Sequence, residues 1–153
     1  MTLVVENISK KIQKQDVLKN VSFELHQGEI VGLVGRNGSG KTTLFDTISG
    51  ELLPDFGRIG LDGLDYVKTI DLHDQLFYVD MPENWLSYYS PKKVKAILKV
   101  AYRHFDETWY DAEIKRFGLN NNKRIRTYSK GMRALFVIIA SFASRARYVL
   151  LDE

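Results

Sequence analysis

The sequence has no cysteine, three prolines, three histidines and no long unbroken apolar run in its 153 residues. Without cysteine there is no disulfide, no thiolate zinc site and no iron–sulfur cluster. The histidines, His26, His73 and His104, lie far apart and no HExxH occurs, so zinc-site spacing is missing too. The longest apolar stretch, Ala134–Ala143, is interrupted by Ser141 and falls short of the ~20 residues a bilayer requires. At the N-terminus the lysines follow the apolar residues and Glu6 sits among them, which is not the order of a signal peptide. Charge is nearly balanced: 22 Lys and Arg against 19 Asp and Glu leave +3, too mild an excess to call for nucleic acid. What is present is an ordinary globular composition, 44% hydrophobic and 27% charged, at a length suited to one domain with its own core.

Hydrophobic periodicity organises the chain. Leu3 to Ile8 is a short apolar run, and Val21, Phe23 and Leu25 alternate with polar residues, as a half-buried strand requires. Residues 29–34 (EIVGLV) form a second apolar run before Gly35 and predict a strand buried on both faces. Leu44, Phe45 and Ile48 give helical spacing over Lys41–Ser49, stopped by Gly50. Residues 57–63 are punctuated by glycine and predict a hairpin or turn, and residues 75–79 (QLFYV) another strand. Ser90-Pro91 opens a helix with Val94, Ile97, Leu98 and Ala101 on one stripe. A second helix is expected from Asp106 to Gly118, with Trp109, Tyr110 and Phe117 read as core. A third spans Ser129 to Ala143, and a last strand Tyr148 to Leu151. Strands first, a helical block, then helix and strand predict an α/β layered domain with an inserted helical lobe.

The strongest chemical signal is Gly35-Arg36-Asn37-Gly38-Ser39-Gly40-Lys41-Thr42, which matches GxxxxGK[ST] at every fixed position, between an apolar run and a helix. Glycines let successive N–H groups point into one concavity, and the following helix adds its positive N-terminal end. Lys41 can then reach the β- and γ-phosphates of a nucleotide, and the Thr42 hydroxyl can ligate Mg²⁺; Thr43 closes the set. Asp152 and Glu153 end the last strand. A P-loop nucleotidase needs one acid to hold Mg²⁺, usually through water, and a carboxylate to orient the attacking water. Asp152 takes the first role and Glu153 the second. Ser129-Lys130-Gly131-Met132, just ahead of an apolar helix, combines an N-cap serine with N–H groups that can face an anion. On its own that segment favours plain helix capping.

The order of P-loop, helical lobe, Ser-x-Gly segment and hydrophobic strand ending Asp-Glu resembles the ATP-binding subunit of an ABC transporter, over essentially the whole chain. Tyr128-Ser129-Lys130-Gly131-Met132 is similar to the signature variant of ABC-2-type exporters, keeping Ser129 and Gly131 of the family's Leu-Ser-Gly-Gly-Gln. The resemblance implies a P-loop NTPase core with an N-terminal antiparallel β subdomain and an α-helical lobe at about residues 87–128. Residues 1–153 would form an incomplete ABC-type ATP-binding domain, truncated after the acidic pair. It implies ATP and Mg²⁺ as ligands. It also implies a second nucleotide-binding subunit whose ATP contacts Ser129, Lys130, Gly131 and Met132, a transmembrane subunit as partner, and a place on the cytoplasmic face of the membrane.

Certain positions depart from the family pattern. Ile12 stands where an aromatic residue stacks on adenine, and Met81, after Asp80, stands at the glutamine-loop position. No histidine follows the acidic pair, and the 153-residue chain alone is expected to hydrolyse ATP poorly. Lys92, Lys93 and Lys95 read as a solvated helix face, or more sharply as a dock for a membrane subunit's cytoplasmic helix, and Lys123, Arg124 and Arg126 as a solvated loop. Trp85, Leu86, Tyr88 and Tyr89 read as core, or, if exposed, as a partner groove. Two rival readings are a soluble ABC ATPase of translation or DNA repair, and a nucleotide-binding regulatory module that does not hydrolyse.

Overall fold

The computed structural model describes residues 2–80 and 85–152. Two compact units are present, one running to His73 and including Asp152, the other spanning residues 74–151.

The first unit is built on a long hairpin. Strands β1 (Thr2–Ile12) and β2 (Gln15–His26) pair antiparallel from Thr2 opposite His26 to Ile12 opposite Gln15. Gln13 and Lys14 make the turn with φ of 48° and 68°, so both central residues are left-handed, the geometry that matches strand twist. The strands thus extend well beyond the apolar runs that announce them, because the polar stretch around Lys10–Asp16 carries no Asn-Gly signal. Strand β3 (Phe56–Leu61) adds to β1, and Asp62-Gly63 turns it into the short β4 (Leu64–Asp65), giving the order β2-β1-β3-β4. Here the expected hairpin is present. Leu3, Val5, Ile8, Leu18, Ile59 and Leu61 are buried on this sheet. Helix α1 (Lys41–Ser49) ends at Gly50 as its sequence predicts and buries Leu44, Thr47 and Ile48.

Residues 29–34 overturn the expected strand. They take no strand conformation and pair with no strand among the described residues. Ile30, Val31 and Val34 are 103%, 64% and 96% exposed. The apolar run states a preference for burial, but a strand exists only when a neighbour accepts its N–H and C=O groups.

The second unit pairs β5 (Leu76–Asp80) with β6 (Tyr148–Asp152) and packs three helices, α2 (Pro91–Ala101), α3 (Glu107–Arg116) and α4 (Lys130–Ser144). Their core contains Phe77, Val94, Leu98, Tyr110, Ile114 and Phe136. Tyr110 is fully buried, and its hydroxyl donates to the Pro91 carbonyl at 2.9 Å, which supplies the partner a buried phenol needs. Burial pushes that phenol well above its ordinary range. Asp106 caps α3 by accepting from the Trp109 N–H, and its other oxygen accepts from Arg145 at 2.6 Å.

Two sequence expectations are corrected here. Lys95 is not on a solvated face: it bridges α2 to α3 through Asp111 at 2.9 Å and Glu107 at 3.1 Å. Phe117 is not core: it is 45% exposed beneath the Arg116 guanidinium, 5.2 Å from its ring centroid.

Asp74 supplies a test of the second unit. Its side chain is 7% exposed and accepts from Arg103 Nε at 2.7 Å and Nη2 at 3.2 Å. The Arg103 hydrogen bonds outweigh burial and hold its carboxyl below the usual range. A lowered folded pKa adds stability that is complete above the unfolded value near 4 and is lost as pH falls through the folded value. Asp74→Asn is therefore expected to cost about 1–3 kcal/mol at pH 7, with the gap to the parent closing in acid. Urea unfolding at a series of pH values checks this, and a gap that stays constant into acid contradicts it.

Candidate functional site

Residues 35–39 are exposed, and the loop runs through half-buried Gly40 directly into α1. Ser39 N–H donates to Arg36 O at 3.1 Å, closing a tight turn, and Gly38 and Gly40 have φ of 77° and 93°. Gly40 is the N-cap, and Leu44 N–H donates to its carbonyl at 2.8 Å, which begins the helical ladder. The N–H groups of Lys41, Thr42 and Thr43 precede that first bond and have no acceptor within the helix. No acid lies in the first turn to compete for them. A run of amides at a positive helix end is what an anion requires.

Gly40 cannot be anything larger without movement. A Cβ there would lie 3.0 Å from Val17 Cγ1 and 3.2 Å from the Val17 carbonyl oxygen, so β2 braces the loop at this point. Nothing in the motif itself names Val17. The only sequence signal for it is that β2 is a strand, and the turn that aligns it is cryptic.

Lys41 folds back over the loop, and its ammonium donates to Gly35 O at 2.9 Å and Arg36 O at 3.2 Å. Thr42 donates its hydroxyl to Asp152 Oδ2 at 2.5 Å, joining residues 110 positions apart. Asp152 is 7% exposed. Hydroxyl and carboxylate oxygens in contact are hard donors of the kind Mg²⁺ takes, so the pair fits that ion. The structure thus brings together the P-loop and Asp152, as the motifs predict.

The remaining expected residues stand as follows. Ile12 ends β1 beside the hairpin turn and is 42% exposed. Ser129 is the N-cap of α4: its Oγ accepts from Met132 N–H at 3.2 Å, and Ser129, Lys130 and Gly131 are exposed. Capping uses an acceptor lone pair and leaves the hydroxyl proton to donate elsewhere, so the capping and anion readings are compatible. Glu153 and Met81 lie outside the described residues. Trp85, Tyr88 and Tyr89 are exposed while Leu86 is buried, so of that aromatic cluster only the leucine is core.

A glycine loop entering a Lys-Thr helix, with a carboxylate on that threonine, defines a P-loop nucleotide-binding domain. The family profile described as ABC transporter matches residues 18–153. The ABC transporter ATP-binding protein YtrB of Bacillus subtilis is 34% identical over 149 residues, covering 97% of this chain and 51% of YtrB. The arabinose import ATP-binding protein AraG of Paraburkholderia xenovorans is 30% identical over 165 residues, 99% of this chain and 32% of that one. The teichoic acids export ATP-binding protein TagH of Bacillus cereus is 34% identical over 140 residues, 89% and 24%. A solved ATP-binding subunit of an ABC transporter superposes with a TM-score of 0.82 at 25% identity, over 100% of this chain and 66% of that one. The chain belongs to the ABC transporter ATP-binding family. It spans about half the length of the curated relatives it matches first.

Gly40→Ala tests the brace. The substitution combines a left-handed φ with contact against Val17, and about 1–2 kcal/mol of strain is expected from the backbone alone. Thermal unfolding should show that loss. A melting temperature equal to the parent's would mean that the loop is not held against β2.

Proposed function

We propose that this chain is the ATP-binding and ATP-hydrolysing part of an ABC exporter, working against a separate transmembrane subunit on the cytoplasmic face of the membrane. The observation that carries the reading is the contact of Thr42 with Asp152 at the mouth of the Gly35–Lys41 loop. The amides of the loop and of Lys41, Thr42 and Thr43 hold the phosphate oxygens. Lys41 exchanges its two carbonyl partners for the β- and γ-phosphates. Thr42, and Asp152 through water, would hold Mg²⁺, which when bound would neutralise charge on those oxygens. Glu153 accepts a proton from water as the water oxygen bonds to the γ-phosphorus. The bond from that phosphorus to the bridging oxygen then breaks, leaving ADP and phosphate.

The Ser129–Met132 segment, exposed at Ser129, Lys130 and Gly131, supports a head-to-tail pair of such subunits, each offering its Ser129 hydroxyl and Gly131 N–H to the partner's ATP. ATP binds the closed pair better than the open one, and that difference in affinity is what drives the membrane subunit between states. Trp85, Tyr88 and Tyr89, exposed after the glutamine-loop position, suit docking of that subunit. Ile12 offers the base apolar contact without a π face. The export direction rests on the Tyr-Ser-Lys-Gly-Met form of the signature, because relatives named for import and for export both match this chain.

Lys41→Ala tests the assignment. Loss of a desolvated charge partner is expected to weaken MgATP binding by about 2–5 kcal/mol. Titration calorimetry on parent and variant reads this directly, and equal affinity would remove Lys41 from the phosphate site.

A further inference from the structure

From residue 114 to residue 151 the chain has nine Lys and Arg and not one Asp or Glu. Five of those cations, Lys123, Arg124, Arg126, Lys130 and Arg133, fall within eleven positions and are all exposed. Five other cations of the second unit, Lys95, Lys99, Arg103, Arg116 and Arg145, each form an ion pair with a carboxylate. Among the described residues none of the five does. Like charges held this close repel one another, and the positive N-terminal end of α4 adds to the repulsion.

The cations also border a recess. A cavity of about 450 Å³ is lined by Asn120, Lys123, Arg124, Thr127, Tyr128 and Met132, among others. Its walls are braced: Tyr128 donates its hydroxyl to Asn120 O at 2.7 Å, Thr127 donates to Arg124 O at 2.7 Å, and Lys123 N–H donates to Asn120 Oδ1 at 3.2 Å. Lys123 and Arg124 line the recess with no carboxylate partner among the described residues, while Met132 supplies apolar contact.

We propose that this recess is a docking site for an acidic segment of a partner protein, one that places an Asp or Glu side chain between Lys123 and Arg124 and an apolar neighbour against Met132. The occupant is a peptide rather than a nucleic acid, because no aromatic face is offered for base stacking. Tyr128, the aromatic residue of the lining, is buried with its hydroxyl engaged, and Phe117, 45% exposed, does not line the recess. It is a peptide rather than a membrane surface, because a bilayer presents a plane and this site is concave. The recess includes Met132 of the signature segment and no residue of the 35–42 loop.

The test uses fluorescence anisotropy with a short labelled glutamate-leucine peptide and its glutamine-leucine counterpart. Phosphatidylserine vesicles and an oligonucleotide of equal charge serve as competitors. The parent chain is expected to prefer the glutamate peptide by roughly tenfold or more, with a preference that fades at high salt. Lys123→Glu with Arg124→Glu should abolish the preference, whereas Lys92→Glu with Lys93→Glu, the same charge change on exposed α2, should leave it. Equal binding of the two peptides, equal loss in both double variants, or displacement by vesicles or oligonucleotide at lower charge concentration than by peptide would overturn the proposal. MgATP titration of the same samples keeps the outcomes separate: intact nucleotide binding without peptide selectivity sinks the recess alone, and lost nucleotide binding in the parent sinks the nucleotide reading alone.

Discussion

The candidate site depends on one constraint: a backbone turn that must curl tightly enough to leave the first amides of α1 open. Gly38 and Gly40 meet it by adopting left-handed conformations. The hairpin β1–β2 meets it from outside, since Val17 lies close enough to Gly40 that a Cβ there would be 3.0 Å from Val17 Cγ1 and would have to displace it. The loop is local in sequence, but its shape is held by a strand more than twenty residues upstream. The N-terminal β subdomain is therefore a brace for the loop as well as a sheet in its own right.

The Thr42–Asp152 contact extends the same logic across the chain. Thr42 is placed by the start of α1, and Asp152 by the end of β6. Their hydrogen bond brings a hydroxyl and a carboxylate oxygen to one point, so that two short motifs separated by 110 positions become one donor set. Asp152 is nearly buried, and a carboxylate in that position needs a partner. Thr42 supplies it here, and a hard cation would be served by the same oxygens.

Legibility in the sequence followed the range of the interactions. The P-loop, the limits of α1 at Lys41 and Gly50, the Ser129 cap of α4 and the Asp106 start of α3 could all be read, because each is fixed by chemistry within a few residues. Residues 29–34 misled, because an apolar run becomes a strand only through neighbours that the run does not specify. Lys95 and Phe117 misled for the opposite reason. A lysine at a polar helix position can reach across to Asp111 and Glu107, and a phenylalanine at a helix end can be sheltered by the adjacent Arg116 instead of a core. The turn at Gln13-Lys14 was illegible because neither residue is of the type that favours left-handed backbone.

The account stands or falls on where a nucleotide meets the chain. Backbone amide NMR shifts of the chain titrated with MgATP measure that residue by residue. The largest perturbations are predicted at residues 36–43 and at Asp152, saturating together. A titration that leaves those amides unmoved while others shift, or that moves none at all, would contradict it.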